Sequence, residues 1–243
     1  MTAQIPREIP GLPPVSASSP LLPRSPAPAR AVPVPSHSPR TAAYRLLTAL
    51  LAAAGVALAV LRSTPAHALS YFGVQAGVIL AVTMLLSASR TWRGHRALSS
   101  WLSGAALLYA VVSALTYHLL LAGTPFSMTA LSTPPERWHT QWITLQLLHT
   151  VAPAAAVLDW LCLTPAPRLH LNQATTWLLY PLAYLAFYLT RGAPYLYPFL
   201  DPAAHGYRIT LANALLLGLA TYALAALLVA LDHTRPTPIS RHL

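Results

Sequence analysis

His149 is the residue of this chain best placed for acid–base chemistry. It lies in Leu145-Gln146-Leu147-Leu148-His149-Thr150-Val151-Ala152-Pro153, and a neutral imidazole can take a proton from a hydroxyl near pH 7. Counting along a helix puts it about seven residues, or roughly 10 Å, into an apolar run. Pro153 has no N–H to offer the His149 carbonyl, so the spacing predicts a kink with a free carbonyl beside the ring. Ala152 and Ala156 share nearly the same face, which leaves room for a ligand or a close neighbour. The bland alternative is a histidine that hydrogen-bonds across to another helix and serves packing alone.

Other polar groups fall near the same depth. His118 ends one apolar run, and Tyr71 and Gln75 begin another. Two histidines on different helices could ligate a haem, but His118 lies close enough to a run end to read as a solvated interfacial residue. No cofactor is expected. With Cys162 the lone cysteine, no cysteine-built metal site is expected either. Asp159, near a run end, is expected to meet water or an arginine such as Arg168. Gly73-x-x-x-Gly77 is a small-xxx-small pattern of the kind that lets helices approach closely. Tyr195-Leu196-Tyr197-Pro198-Phe199-Leu200-Asp201-Pro202 reads as an interfacial aromatic belt or as a lid over a cavity.

The elements that must hold these groups follow from composition. Of 243 residues, 55% are hydrophobic and 8% are charged, against about 25% charged in ordinary soluble domains. So few charges cannot coat a water-facing surface, which excludes a soluble enzyme and points to lipid as the solvent. All 15 basic residues are arginine, against five acids, for a net charge of +10. The arginines are scattered among apolar segments, so orientation in a membrane and contact with anionic lipid are the expected consequences, and nucleic acid is not the expected partner. The absence of lysine excludes Schiff-base chemistry.

Six apolar runs emerge, at residues 44–61, 69–89, 98–122, 142–163, 173–190 and 209–231. Each is long enough to approach or exceed the roughly 20 residues that cross a ~30 Å hydrocarbon layer. Helices are required, because lipid leaves unpaired backbone groups unsatisfied. The predicted fold is therefore an all-α integral membrane protein, a six-transmembrane-helix bundle over residues 41–233 with a short cytoplasmic tail at 234–243. Residues 1–40 carry 11 of the 24 prolines and six serines, which predicts a disordered, partly polyproline tail. Eleven arginines fall on one side and four on the other, which places both termini in the cytoplasm of a multi-pass cell-membrane protein. No internal repeat suggests a transporter, and nothing specifies an oligomer.

Several short runs appear in order: Tyr117-His118-Leu119-Leu120-Leu121-Ala122-Gly123, His149-Thr150, Asp159-Trp160, Trp177-Leu178-Leu179-Tyr180-Pro181-Leu182-Ala183-Tyr184, Arg191-Gly192 and Tyr197-Pro198-Phe199-Leu200-Asp201. Residues 44–231 thereby resemble the prokaryotic six-transmembrane Pr-six-Pr membrane proteins. That family is similar to the eukaryotic androgen-induced-gene proteins, membrane threonine hydrolases of fatty acid esters of hydroxy fatty acids. The resemblance implies a lipid-sized outer-leaflet pocket, a lipid ester ligand, and His149 as catalytic base, with Gln75, His118, Tyr71 and Tyr197 as substrate-binding candidates. It also exposes a departure. The family's Tyr-Phe-Thr-x-Gln-Ser-Asn reads here as Tyr71-Phe72-Gly73-Val74-Gln75-Ala76-Gly77, and glycine cannot carry an acyl group. Ser70 and Thr150 are nearby hydroxyls at other positions. Two readings stay open, a lipid-ester hydrolase and a non-catalytic structural or small-molecule-binding membrane protein.

Overall fold

The computed structural model describes residues 38–121, 138–165, 168–191 and 196–235, and these are all-helical. In chain order they form α1 (Pro39–Arg62), α2 (Pro65–Ala68), α3 (Phe72–Trp92), α4 (Ser100–Leu121), α5 (Thr140–Leu163), α6 (Leu171–Trp177), α7 (Leu179–Arg191) and α8 (Pro202–Thr234). Five of them, α1, α3, α4, α5 and α8, are long and apolar enough to cross a membrane. Their outer faces carry exposed leucines, such as Leu211, Leu215 and Leu219 on α8. An apolar surface of this extent suits a membrane-embedded protein. The predicted tail falls on residues outside those described, apart from its last three, and Pro39 already opens α1 from the first helical position, where its missing N–H costs nothing.

The fifth apolar run is not a single helix. It divides at Leu178 into α6 and α7, and Pro181 supplies the cause. With no N–H, Pro181 leaves the carbonyl of Trp177 without its helical donor, and the Tyr109 hydroxyl of α4 donates to that carbonyl at 2.8 Å. Hydropathy alone conceals the break because both halves are apolar. α8 has a similar irregularity at Gly206, whose φ of 73° lies in the left-handed region that glycine tolerates. Asp201 caps that first turn by accepting the N–H of Ala203 at 2.8 Å.

Small residues set how closely the helices pack. The buried stripe of α1 runs through Ala42, Ala49, Ala52, Gly55 and Ala59, and α1 lies along α3. A Cβ on Gly55 would come 2.9 Å from Leu148, and one on Gly77 would come 2.7 Å from the same leucine. Both glycines are thus sites of close approach between α1, α3 and α5.

A buried polar layer ties one end of the bundle together. The Arg45 Nε donates to Asp159 Oδ1 at 2.8 Å, the second nitrogen of its fork donates to Thr91 at 2.8 Å, and Thr164 donates to Asp159 Oδ2 at 3.0 Å. Asp159 therefore meets an arginine, one of the two expected outcomes, though the partner is Arg45 in place of Arg168 and the pair is buried. Asp232 is fully buried beside it. Its Oδ1 accepts from the Trp160 indole at 3.0 Å and from Arg235 at 2.9 Å. Its Oδ2 accepts the backbone N–H groups of Arg168 at 2.6 Å and Leu169 at 2.9 Å. The Arg168 guanidinium donates to the carbonyl of Leu98. Burial lowers its pKa below the usual arginine value, as does the nearby Arg45, while Asp232 and Asp159 work in the opposite sense.

Candidate functional site

At the opposite end, where α3 begins, α3, α4, α5, α7 and α8 enclose a cavity of about 470 Å³. That size lies in the range of small-molecule sites. The walls are mostly aliphatic and aromatic, and the turn at Pro198–Leu200 contributes Phe199 and Leu200. α7 and α8, which flank the cavity, make little contact with each other.

His149 reaches this cavity from an irregular stretch of α5. Residues Leu147–Val151 form a single π turn, and the N–H of Ala152 reaches back to the carbonyl of Leu147. The helix thus accommodates Pro153 by widening one turn, a device common at functional sites. Ala152 and Ala156 are fully packed in the helix core, so the space they leave is taken by neighbouring helices.

The imidazole is held on two sides. Nδ1 lies 3.1 Å from the carbonyl of Leu145. A carbonyl can only accept, so Nδ1 carries the proton and Nε2 presents a bare lone pair. The ring stacks on Tyr117 with centroids 4.7 Å apart. Nε2 points at the first turn of α3, where a Cβ on Gly73 would lie 2.5 Å from it and 2.9 Å from the Oγ of Ser113. The absent side chain lets a histidine nitrogen and a serine hydroxyl pack directly against the α3 backbone in the cavity wall.

Of the residues singled out from sequence, Tyr71, Tyr197 and His149 line this cavity. Tyr197 accepts the N–H of Phe72 at 3.0 Å, and its own N–H donates to Tyr188 at 2.9 Å. Burial is the main cause that pushes the Tyr197 phenol up to about 12, so it stays neutral. Tyr71 is buried against Tyr197, their rings edge to face at 6.3 Å.

Gln75 and His118 are not among the lining residues. Gln75 is spent on fixing helices, donating to the carbonyl of Leu69 at 2.6 Å and accepting from Tyr180. The exposed His118 pairs through Nε2 with Thr150 at 3.0 Å. Ser70 donates to the carbonyl of His67, so Ser70 and Thr150, the two hydroxyls singled out from the sequence, are both engaged. Among the described residues, no cluster of three or more histidine, cysteine or acidic side chains could hold a metal ion.

Comparison with family models, with curated proteins and with solved structures finds no match.

Ser113 is the site residue that the sequence reading passed over. A signal existed, because a hydroxyl near the middle of an apolar run is a candidate by default. It lies one helical turn before Tyr117, on the face that meets His149.

Proposed function

We propose that this chain is a Pr-six-Pr-type integral membrane protein whose cavity takes an acyl chain of a lipid ester, with His149 as the general base of ester hydrolysis. One observation carries the reading: a buried imidazole, its tautomer fixed by the Leu145 carbonyl, turns a free Nε2 into an apolar cavity of about 470 Å³. An apolar chamber with one oriented base suits a long-chain substrate with a single reactive polar group. Tyr71 and Tyr197, which line the cavity, are the candidates for meeting that group. The test is hydrolysis of a panel of fatty acid esters of hydroxy fatty acids by the purified chain in detergent. Turnover that drops at least about 100-fold in His149→Ala is the expected result, in line with the usual weight of general-base catalysis. Equal turnover in the two proteins would remove His149 from the chemistry.

Gly73 favours a second reading. With no hydroxyl at that position, the cavity could serve binding alone, and His149 would then orient a ligand without reacting.

The membrane arrangement belongs to the same proposal. We take α6 and α7 together, residues 171–191, as the sixth crossing, and we place both termini in the cytoplasm with the cavity in the outer leaflet. The arginine count supports this sense. A cysteine introduced at Pro198 should react with an impermeant thiol reagent added from outside. Reaction only from the cytoplasmic side would invert the arrangement.

A further inference from the structure

If the cavity is hydrolytic, its attacking group has to come from somewhere other than position 73. We propose that Ser113 is that group, a nucleophile paired with His149. This rests on the hydrolase reading above and adds to it the residue that would carry the acyl group.

The hydroxyls of the membrane helices show why Ser113 stands apart. Thr48, Thr91, Thr144 and Thr221 each donate to the carbonyl four residues back, at 3.0, 2.8, 2.7 and 2.8 Å. That is the ordinary resting place of a hydroxyl on an apolar helix. Ser113 is only 4% exposed, and its Oγ has no hydrogen-bond partner in the structure. Among the described residues, Thr210 is the other hydroxyl in that condition, but it does not line the cavity. A buried unpaired hydroxyl carries a desolvation cost, and such a group in a native fold calls for a reason. The reason on offer is position. Ser113 lines the cavity and packs against the same stretch of α3 as the unprotonated Nε2 of His149, each within 3 Å of the point where a Gly73 Cβ would stand. The two atoms are not hydrogen-bonded to each other, a common condition for pairs that close only around substrate.

The close packing also gives Gly73 a role. A side chain at this position would press into the imidazole and the serine oxygen together. Glycine lets both groups close onto the α3 backbone beside the cavity.

The steps balance for one ester and one water. The Ser113 Oγ bonds to the acyl carbon while its proton passes to His149 Nε2. The resulting tetrahedral species collapses, the C–O bond to the alcohol breaks, and the Nε2 proton moves onto the departing oxygen. Water then attacks the acyl-serine, Nε2 takes a proton from that water, and the proton returns to Ser113 Oγ as the fatty acid leaves.

The experiment uses the full-length chain in detergent, with a fluorophosphonate as probe and the ester panel as substrate. The expected result is a mass adduct on the peptide carrying Ser113, absent in His149→Ala. Ester turnover should fall roughly 10³-fold or more in Ser113→Ala. Thermal stability of Ser113→Ala should be unchanged or raised, since the variant deletes an unpaired buried hydroxyl. That readout separates loss of chemistry from loss of fold. Turnover that needs His149 but persists in Ser113→Ala, with no adduct, would overturn the proposal while leaving the hydrolase reading intact with water as nucleophile. A wild type that neither turns over the esters nor labels would remove both.

Discussion

Asp232→Ala should be among the most damaging single changes in this protein, lowering stability by about 4 kcal/mol. Four donors converge on this one carboxylate: the Trp160 indole, the Arg235 guanidinium, and the backbone N–H groups of Arg168 and Leu169. Truncation would leave all four without their acceptor in a region where Asp232 and Trp160 are buried, and an orphaned buried donor costs about 1–3 kcal/mol. Arg235 also lies over the Trp160 ring at 5.0 Å, so its displacement would loosen the indole as well. Asp232→Asn should fall between wild type and alanine. An amide keeps one oxygen, but its nitrogen must then face two of the four donors. Thermal unfolding in detergent reads both variants, and an alanine variant with an unchanged midpoint would refute this account.

Gly104→Ala is the second large effect, expected at about 3 kcal/mol from the insertion of a single methyl group. A Cβ at this position would meet two ring carbons of Trp177, with Cη2 at 2.6 Å, and would come 3.0 Å from Leu169. The indole has no route of escape. Trp177 is fully buried, its Nε1 donates to the carbonyl of Trp101 at 2.9 Å, and its own carbonyl accepts from Tyr109. A flexible side chain would yield by a few tenths of an ångström, whereas a rigid bicycle bonded at both ends must move α6 with it. Gly218→Ala is the natural control, because nothing lies within 4 Å of that position. Equal thermal midpoints for the two variants would show that the Gly104–Trp177 contact is not tight.

Much of the helical framework is legible in the sequence because hydropathy measures what lipid selects. Five of the six apolar runs correspond to helices of crossing length. The break in the other turns on Pro181, a residue visible in the sequence, yet an average over apolar residues carries no trace of a missing N–H. Depth was legible too. Counting 1.5 Å per residue placed His149 and Gly73 at similar levels, and the Nε2 of one faces the α-carbon of the other. Rotation about the helix axis was not legible. On a helix that is apolar all round, periodicity does not say which face turns inward, so Gln75 and His118 were grouped with a cavity they do not line. Long-range charge pairing was equally hidden. Arg45 and Asp159 stand 114 positions apart, so nothing in the local sequence of either names the other. The partners of Asp232 include the backbone N–H groups of Arg168 and Leu169, which every sequence has and none displays.

The division at Leu178 gives the two parts of that segment different mechanical lives. Below it, α6 is a foot, with Trp177 seated on Gly104 and bonded to α4. Above it, α7 is a leaf of the chamber wall, lining it with Pro181, Leu182, Tyr184 and Leu185. Since Pro181 removes the hydrogen bond that would stiffen the joint, tilting the leaf need not lift the foot. The two parts are therefore held by different partners, the foot by α4 and the leaf by the start of α3, through Tyr180 to Gln75 and Tyr184 to the carbonyl of Ser70.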